Sequence, residues 1–377
     1  MSRLNFSDNL INLRRKKGIT QEALATFVGV TKASVSKWET KQSLPDIMLL
    51  PQLAVFFDVT IDELLGYEPQ LSKEQIKKAY YDLTADFAQR PFEEVMAKCK
   101  GKVKKYYSCY PFLFQICVLW LNHFMLAEKR ERQLEVLNDA SELCSHIISD
   151  CEDLVLRNNA SVLKATIDLQ CGKAEDVIHV MEDILNPYQL SQQGDSVLIQ
   201  AYQYAGRIEK AVEFTQFSMF SHLIATITSA THYLVIHANE PLVCRETIHR
   251  IDKLIEAFNW NQLHPNSSAQ FQYFAAVAYC IQQNEKEAFE RLNQFVNLSV
   301  SLLENDGLFL HDDSYFDKID RIFEQSDLGI SAPRNRKLVF DGIVQSLNNP
   351  AFSILLQDEE FERLKKYLIE KGKRLSV

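Results

Sequence analysis

Eleven glycines and ten prolines among 377 residues are few for a chain of this length, and this scarcity constrains the fold more than any other feature. Sheets need many tight turns, and hairpin turns draw on Gly, Pro, Asn and Asp, so an all-β architecture is disfavoured. With 46% hydrophobic and 24% charged residues, the chain has enough apolar material for sizeable cores. The reading is all-α, over two or three domains.

The first 66 residues break at recognisable helix punctuation. SDNLINLRRKKG closes on Gly18, and QEALATFVG starts after Thr20 and ends at Gly29. Thr31 can cap KASVSKWE, where Val35 and Trp38 lie three apart on one face. Pro45 and Asp46 open a fourth helix through Leu53, Ala54 and Phe57, and the Thr60–Glu63 spacing is a capping box for a fifth. A tight glycine turn between two short helices lets the second enter a major groove about as wide as a helix, while the first rests its N-terminus on the backbone.

The order QEALATFVGVTKASVSKWE resembles the helix-turn-helix of the lambda-repressor-like (Xre/Cro) family, and SLPDIMLLPQLAVFFDVTIDELLG resembles that family's closing helices. The likeness covers residues 6–66. It implies a double-stranded DNA partner, with Gln21, Thr31, Lys32, Ala33, Ser34, Ser36 and Lys37 at or beside the base- and phosphate-reading positions. Lys32 and Lys37 can donate to guanine O6/N7 or to phosphate, whereas Ala33 offers only contact with a thymine methyl. A Gln or Arg is frequent in that family where Ala33 stands, so the base code here is weaker. Arg14 and Glu39 match a structural ion pair of many relatives and are assigned to the fold rather than to readout.

Charge supports this division. Residues 1–107 carry 17 Lys+Arg against 13 Asp+Glu, and residues 108–377 carry 24 against 37. Only the front of the chain suits a polyanion. Gly66 to Ser72 is a boundary, and Ser72–Gln75 is a second capping box that opens linker helices over 67–107. The run containing Lys98, Lys100, Lys102, Lys104 and Lys105 reads as a solvated helix face before a phosphate contact.

Beyond residue 107, helical segments alternate with brief breaks. DSVLIQAYQYAGRIEKAVEF has the pattern of a helix, a turn at Gly206 and a second helix, and Gly172 lies 34 residues earlier. A break near Asn239–Glu240 and the segment FAAVAYCIQQNEKEAFERL repeat the theme. Period and pattern resemble tetratricopeptide repeats, predicting about five helix pairs over 108–303 in a right-handed solenoid with a concave face. Residues 304–377 fit the period less well and read as a cap or a dimer contact.

A DNA-binding head followed by such repeats resembles the peptide-pheromone-responsive regulators of Gram-positive bacteria. That resemblance implies a cytoplasmic homodimer whose groove receives a short signalling peptide. Asn159, Gln200, Tyr204 and Tyr273 are inward candidates whose amides and hydroxyls can pair with a peptide main chain. The alternative is a body that binds a protein, such as an antirepressor or scaffold, and no peptide.

No phosphate-cradling GxxxxGK[ST], HExxH or GxSxG occurs, so the reading is not an enzyme, with no cofactor. His311 beside Asp312 and Asp313 lacks a second ligand cluster, and His232 and His237 are off the spacing that shares a helix face, so no metal site is read. Eight scattered cysteines without a CxxC pair read as reduced, buried thiols. No cleavable signal is read, and Tyr110–Ala127 is interrupted by Gln115, Asn122 and His123, which suits a buried helix better than a membrane span.

Overall fold

The computed structural model describes residues 5–67, 70–185, 194–304, 313–324, 328 and 332–375. Helices and short 3-10 turns make up its regular structure, and no strand occurs among the described residues. Five helices form the head: α1 (Phe6–Lys16), α2 (Gln21–Val28), α3 (Lys32–Glu39), α4 (Leu50–Phe57) and α5 (Ile61–Leu65). Their starts are set by side-chain caps. Thr20 accepts from the Ala23 amide, Thr31 from Ser34, Asp46 from Met48, and Thr60 and Glu63 complete a capping box. Gly29 ends α2 at φ 74°, a left-handed conformation that a side chain would strain, and so turns the chain directly into α3.

The head has a core of its own. Phe6, Leu10, Leu24, Val35, Leu53 and Leu64 are fully buried, and Trp38 is nearly so. Burying each of these contributes about 1.5–3 kcal/mol. Val35 and Trp38 are the inward stripe of α3, so the opposite stripe faces out by geometry. Two polar ties fix α3 against α1. The Ser7 hydroxyl donates to the Trp38 carbonyl at 2.5 Å, and Arg14 meets Glu39 in a forked ion pair, Nε to Oε1 at 2.6 Å and Nη2 to Oε2 at 3.1 Å.

The body begins with α6 (Lys73–Gln89), opened by the Ser72–Gln75 capping box. It continues with α7 (Phe92–Lys105), α8 (Tyr110–His123), α9 (Arg130–Asp150), α10 (Leu154–Gln170) and α11 (Ala174–Ile184). Residues 73–105, read from sequence as linker helices, belong by packing to this body: Tyr80, Leu83, Val95 and Cys99 share one core with Phe112, Trp120, Leu137 and Cys144. Most of α8 is buried, which accounts for its apolar run.

α12 (Gly194–Tyr204) packs on α13 (Ile208–Ile236), and a third core is built by α13 with α14 (Pro241–Ala257), α15 (Trp260–Leu263), α16 (Pro265–Ile281) and α17 (Glu285–Glu304). The closing helices are α18 (Ile319–Glu324), α19 (Arg336–Ser346) and α20 (Glu359–Leu375). Neighbouring helices pack in sequence, α8 on α9, α9 on α10, α12 on α13 and α16 on α17. Gly172 and Gly206 both turn in left-handed conformations between paired helices, 34 residues apart. The third break, at Asn239–Glu240, lies about 34 residues beyond Gly206 but follows one long helix. No Gly or Pro interrupts residues 208–236, so α13 runs unbroken for 29 residues, and the break at Asn239–Glu240 ends it instead of dividing a pair. The next turn within a pair comes at Gln283, between α16 and α17.

By length and apolar composition α13 is the one described helix that could cross a membrane. Here it packs against α12, α14, α16 and α18. All eight cysteines are free, and seven are buried. Phe352, Leu355, Phe361, Leu364 and Leu368 bury the tail against α16 and α17.

Glu39 yields a testable consequence. Burial alone would raise its pKa, but bonds from Arg14 and Gln21 outweigh it and hold the carboxyl below the usual carboxylate range. A depressed carboxylate pKa stabilises the fold above the unfolded value of about 4.3 and loses that stabilisation as pH falls through the folded value. Glu39→Gln should cost the head about 2–3 kcal/mol at pH 7, leaving the Arg14 charge half-buried and unpaired. Amide exchange of α3 checks this: protection should fall roughly 30- to 150-fold at pH 7, and the gap from wild type should close below about pH 4.

Candidate nucleic-acid interface

With Val35 and Trp38 turned inward, α3 presents two rows four residues apart, Lys32 with Ser36 and Ala33 with Lys37. Lys32, Ala33 and Lys37 are exposed, and Ser36 is half-buried at the edge. These four residues form one face. Thr31 and Ser34 sit at the helix start, where their hydroxyls lie 2.9 Å apart and Thr31 also caps the Ser34 amide at 3.1 Å. Their first task is structural, and Thr31 remains exposed beside the groove-facing end.

Lys32 Nζ lies 3.9 Å from Glu22 Oε2, with both side chains largely in solvent. A surface pair of that kind contributes less than about 1 kcal/mol, so a phosphate competes with Glu22 readily. Lys37 has no ion-pair partner among the described residues. The face therefore offers two ammonium groups and a methyl on a helix of eight residues, about 12 Å long and close to the width of a major groove.

Gln21 also makes a bond within the head. It opens α2 as expected, and its Nε2 donates to Glu39 Oε2 at 2.8 Å, completing the Arg14–Glu39 cluster. Arg14 Nη1 in turn donates to the Ile19 carbonyl at 2.8 Å. The end of α1, the start of α2 and the end of α3 thus meet at one carboxylate. No local spacing signals this, since Arg14 and Gln21 lie 25 and 18 residues before Glu39 on other helices, and phosphate and carboxylate are equally good acceptors for an amide donor. Sequence reading also passed over Leu44, Ile47, Met48 and Val55, apolar side chains exposed on and before α4.

Two of the five lysines in the basic run of α7 are paired. Lys98 pairs with Asp86, and Lys100 pairs with Asp139 at 2.6 Å, while Lys104 and Lys105 stay exposed. Of the peptide candidates, Gln200 and Tyr204 lie one turn apart on α12 and are both exposed, Tyr204 at 88%. Asn159 is exposed on α10. Tyr273 is half-buried instead of open to a groove: its hydroxyl donates to the Ser346 carbonyl at 3.3 Å and accepts from Asn349 at 2.8 Å, because the tail folds onto α16. His311 and Asp312 fall outside the described residues, and no cluster fit to hold a metal occurs among those described.

Comparison with known proteins falls on this same region. A helix-turn-helix family model matches residues 10–64. The HTH-type transcriptional activator BcrR of Enterococcus faecalis is 36% identical over 83 residues, covering 20% of this chain and 41% of that protein. The HTH-type transcriptional regulator AnsR of Bacillus subtilis is 38% identical over 63 residues, 17% of this chain and 54% of its own. The HTH-type transcriptional regulator YqaE of the same organism is 30% identical over 79 residues, 20% of this chain and 68% of its own. The chain thus spans about half the length of the first two of these relatives. No solved structure matches the chain. By the cap pattern, the inward stripe of α3 and these relatives, the chain belongs to the Xre-like helix-turn-helix family of transcriptional regulators.

Proposed function

We propose that this regulator binds a specific DNA operator as a homodimer in the cytoplasm, with α3 in the major groove, and that its helical body responds to a short peptide. The observation that carries the DNA reading is the outward face of α3, with Lys32 and Lys37 exposed while the rest of the helix is locked inward by Trp38 and Glu39. Thr31, Ser34 and the first turn of α2 position the head against phosphate, and Ala33 and Ser36 lie against base edges. Free, buried cysteines suit a reducing compartment.

Two heads one helical turn apart, or a multiple of it, read a palindrome, so the body is assigned the dimer contact. The stacked helix pairs and the exposed Gln200–Tyr204 face support the peptide reading, since amides and phenols on a groove can pair with a main chain. A second reading, a protein partner on the body, is favoured by one feature. Ala230, Tyr233 and Ile251 line a shallow apolar groove between α13 and α14, and Val235, Ile236 and Leu242 are exposed nearby.

Lys32→Ala/Lys37→Ala should abolish specific operator binding and lower the salt slope of the remaining nonspecific binding by up to about 2, with helical circular dichroism unchanged. Operator affinity equal to wild type in that double variant contradicts the site. Sedimentation should find a dimer at micromolar concentration, and a monomer with and without DNA contradicts the assembly. Short basic or neutral peptides should raise the melting temperature if the body takes a peptide, and a shift only with a protein partner favours the second reading.

A further inference from the structure

Three contacts join residues more than 200 positions apart. Tyr80 and Tyr81 are adjacent on α6, and their hydroxyls donate to the carbonyls of Pro333 and Leu328, each at 3.0 Å. Arg334 Nε donates to Asn122 Oδ1 near the end of α8 at 3.2 Å. The Leu328 side chain packs against the core of α6 to α10. A stretch between α18 and α19 thus reaches back to the first helices of the body. The seven residues from Arg321, which pairs with Glu213 on α13, to Leu328 can span at most about 25 Å, so the chain crosses from one helical unit to the other here.

The manner of holding is informative. Pro333 and Arg334 are exposed, and Leu328 is half-buried against the core, so these three residues are held at the surface. Two phenols donating to carbonyls read a main chain, whatever its side chains, and one polar amide meets one cation. Tyr80 is itself buried, and burial pushes its phenol far above the ordinary value, so it stays a donor at every physiological pH. Asn122 is oriented by its own amide, which donates to the Val118 carbonyl at 2.9 Å. The recognising groups are thus set by helices, and their partners, Leu328, Pro333 and Arg334, stand at bends outside any helix.

We propose that Tyr80, Tyr81 and Asn122 form a peptide-reading site whose resident occupant is the chain's own Leu328 and Pro333–Arg334, and that a free peptide with an apolar residue and an arginine six positions later competes for it. The proposal rests on the reading of the body as a peptide receptor and adds a docking place apart from the Gln200–Tyr204 face, while the self-occupied state stands on the three contacts. α6 starts at Lys73, seven residues after the head ends at Gly66, so exchange of occupant acts directly behind the DNA-binding unit.

A labelled synthetic peptide of residues 326–336 tests this on the full chain by fluorescence anisotropy. It should bind at least about tenfold more tightly to a chain whose residues 326–334 are replaced by a Gly/Ser linker of equal length, because the site is then vacant. Adding Tyr80→Phe/Tyr81→Phe to the linker chain should weaken that binding about tenfold. A linker chain with native circular dichroism that binds no better than wild type overturns the proposal, as does binding indifferent to the Phe pair. Should the linker chain fail to fold, amide exchange of the intact protein decides. Tyr80→Phe/Tyr81→Phe must speed exchange at Arg334 and Asn335 about tenfold while α16 and α17 stay unchanged, and unchanged exchange at those two overturns it. A peptide that binds here without altering operator affinity contradicts peptide control but supports the site. A peptide that alters operator affinity equally in wild type and in the Phe pair places control elsewhere and overturns the site.

Discussion

One carboxylate organises the part of this molecule that meets DNA. Glu39, at the last residue of α3, accepts from Arg14 at the end of α1 and from Gln21 at the start of α2. Three helices are thus fixed at one point that is 7% exposed, where the low dielectric strengthens each bond. Readout depends on this. A recognition helix of eight residues has too few turns to hold its own shape, and its tilt is set by what grips its ends. Thr31 holds the front by capping, and Glu39 with the Ser7–Trp38 bond holds the back. The exposed lysines can present a fixed face only because the inward half is held this way.

Behind the head, the chain divides its apolar residues between two further cores, one over α6 to α10 and one over α13 to α20. Local helix pairs build each core, which suits folding through short-range contacts. The long-range ties run through the tail. Gln216 on α13 holds the Tyr315 carbonyl and the Lys318 amide, and the tyrosines of α6 hold Pro333 and Leu328. Buried polar bonds of this kind choose one arrangement among many equally apolar ones, and Arg291, Asp252 and Gln272 do the same between α14, α16 and α17.

The head was legible in the sequence because its signals are local. Caps at Thr20, Thr31 and Thr60, the glycine turn, and the spacing of Val35 and Trp38 each act within a few residues, and each stands where the spacing put it. The Arg14–Glu39 pair was legible only through family resemblance. The placement of Gln21 on Glu39 was not, since a donor beside two acceptors does not announce which it takes. The turns at Gly172 and Gly206 were legible because glycine marks them, whereas the length of α13 follows from the lack of any Gly or Pro within residues 208–236. Tyr273 and the contacts of Tyr80 and Tyr81 depend on residues 73 to 253 positions away, and no periodicity carries information over that distance.

The central claim is that the α3 face reads a particular sequence and does more than cling to phosphate. Fluorescence anisotropy of the full chain on a labelled duplex from its own upstream region, against a shuffled duplex and over a range of salt, measures this directly. The account predicts binding to the upstream duplex at least about a thousandfold tighter than to the shuffled one, surviving excess competitor. Equal affinity for both duplexes, collapsing together as salt rises, would contradict it.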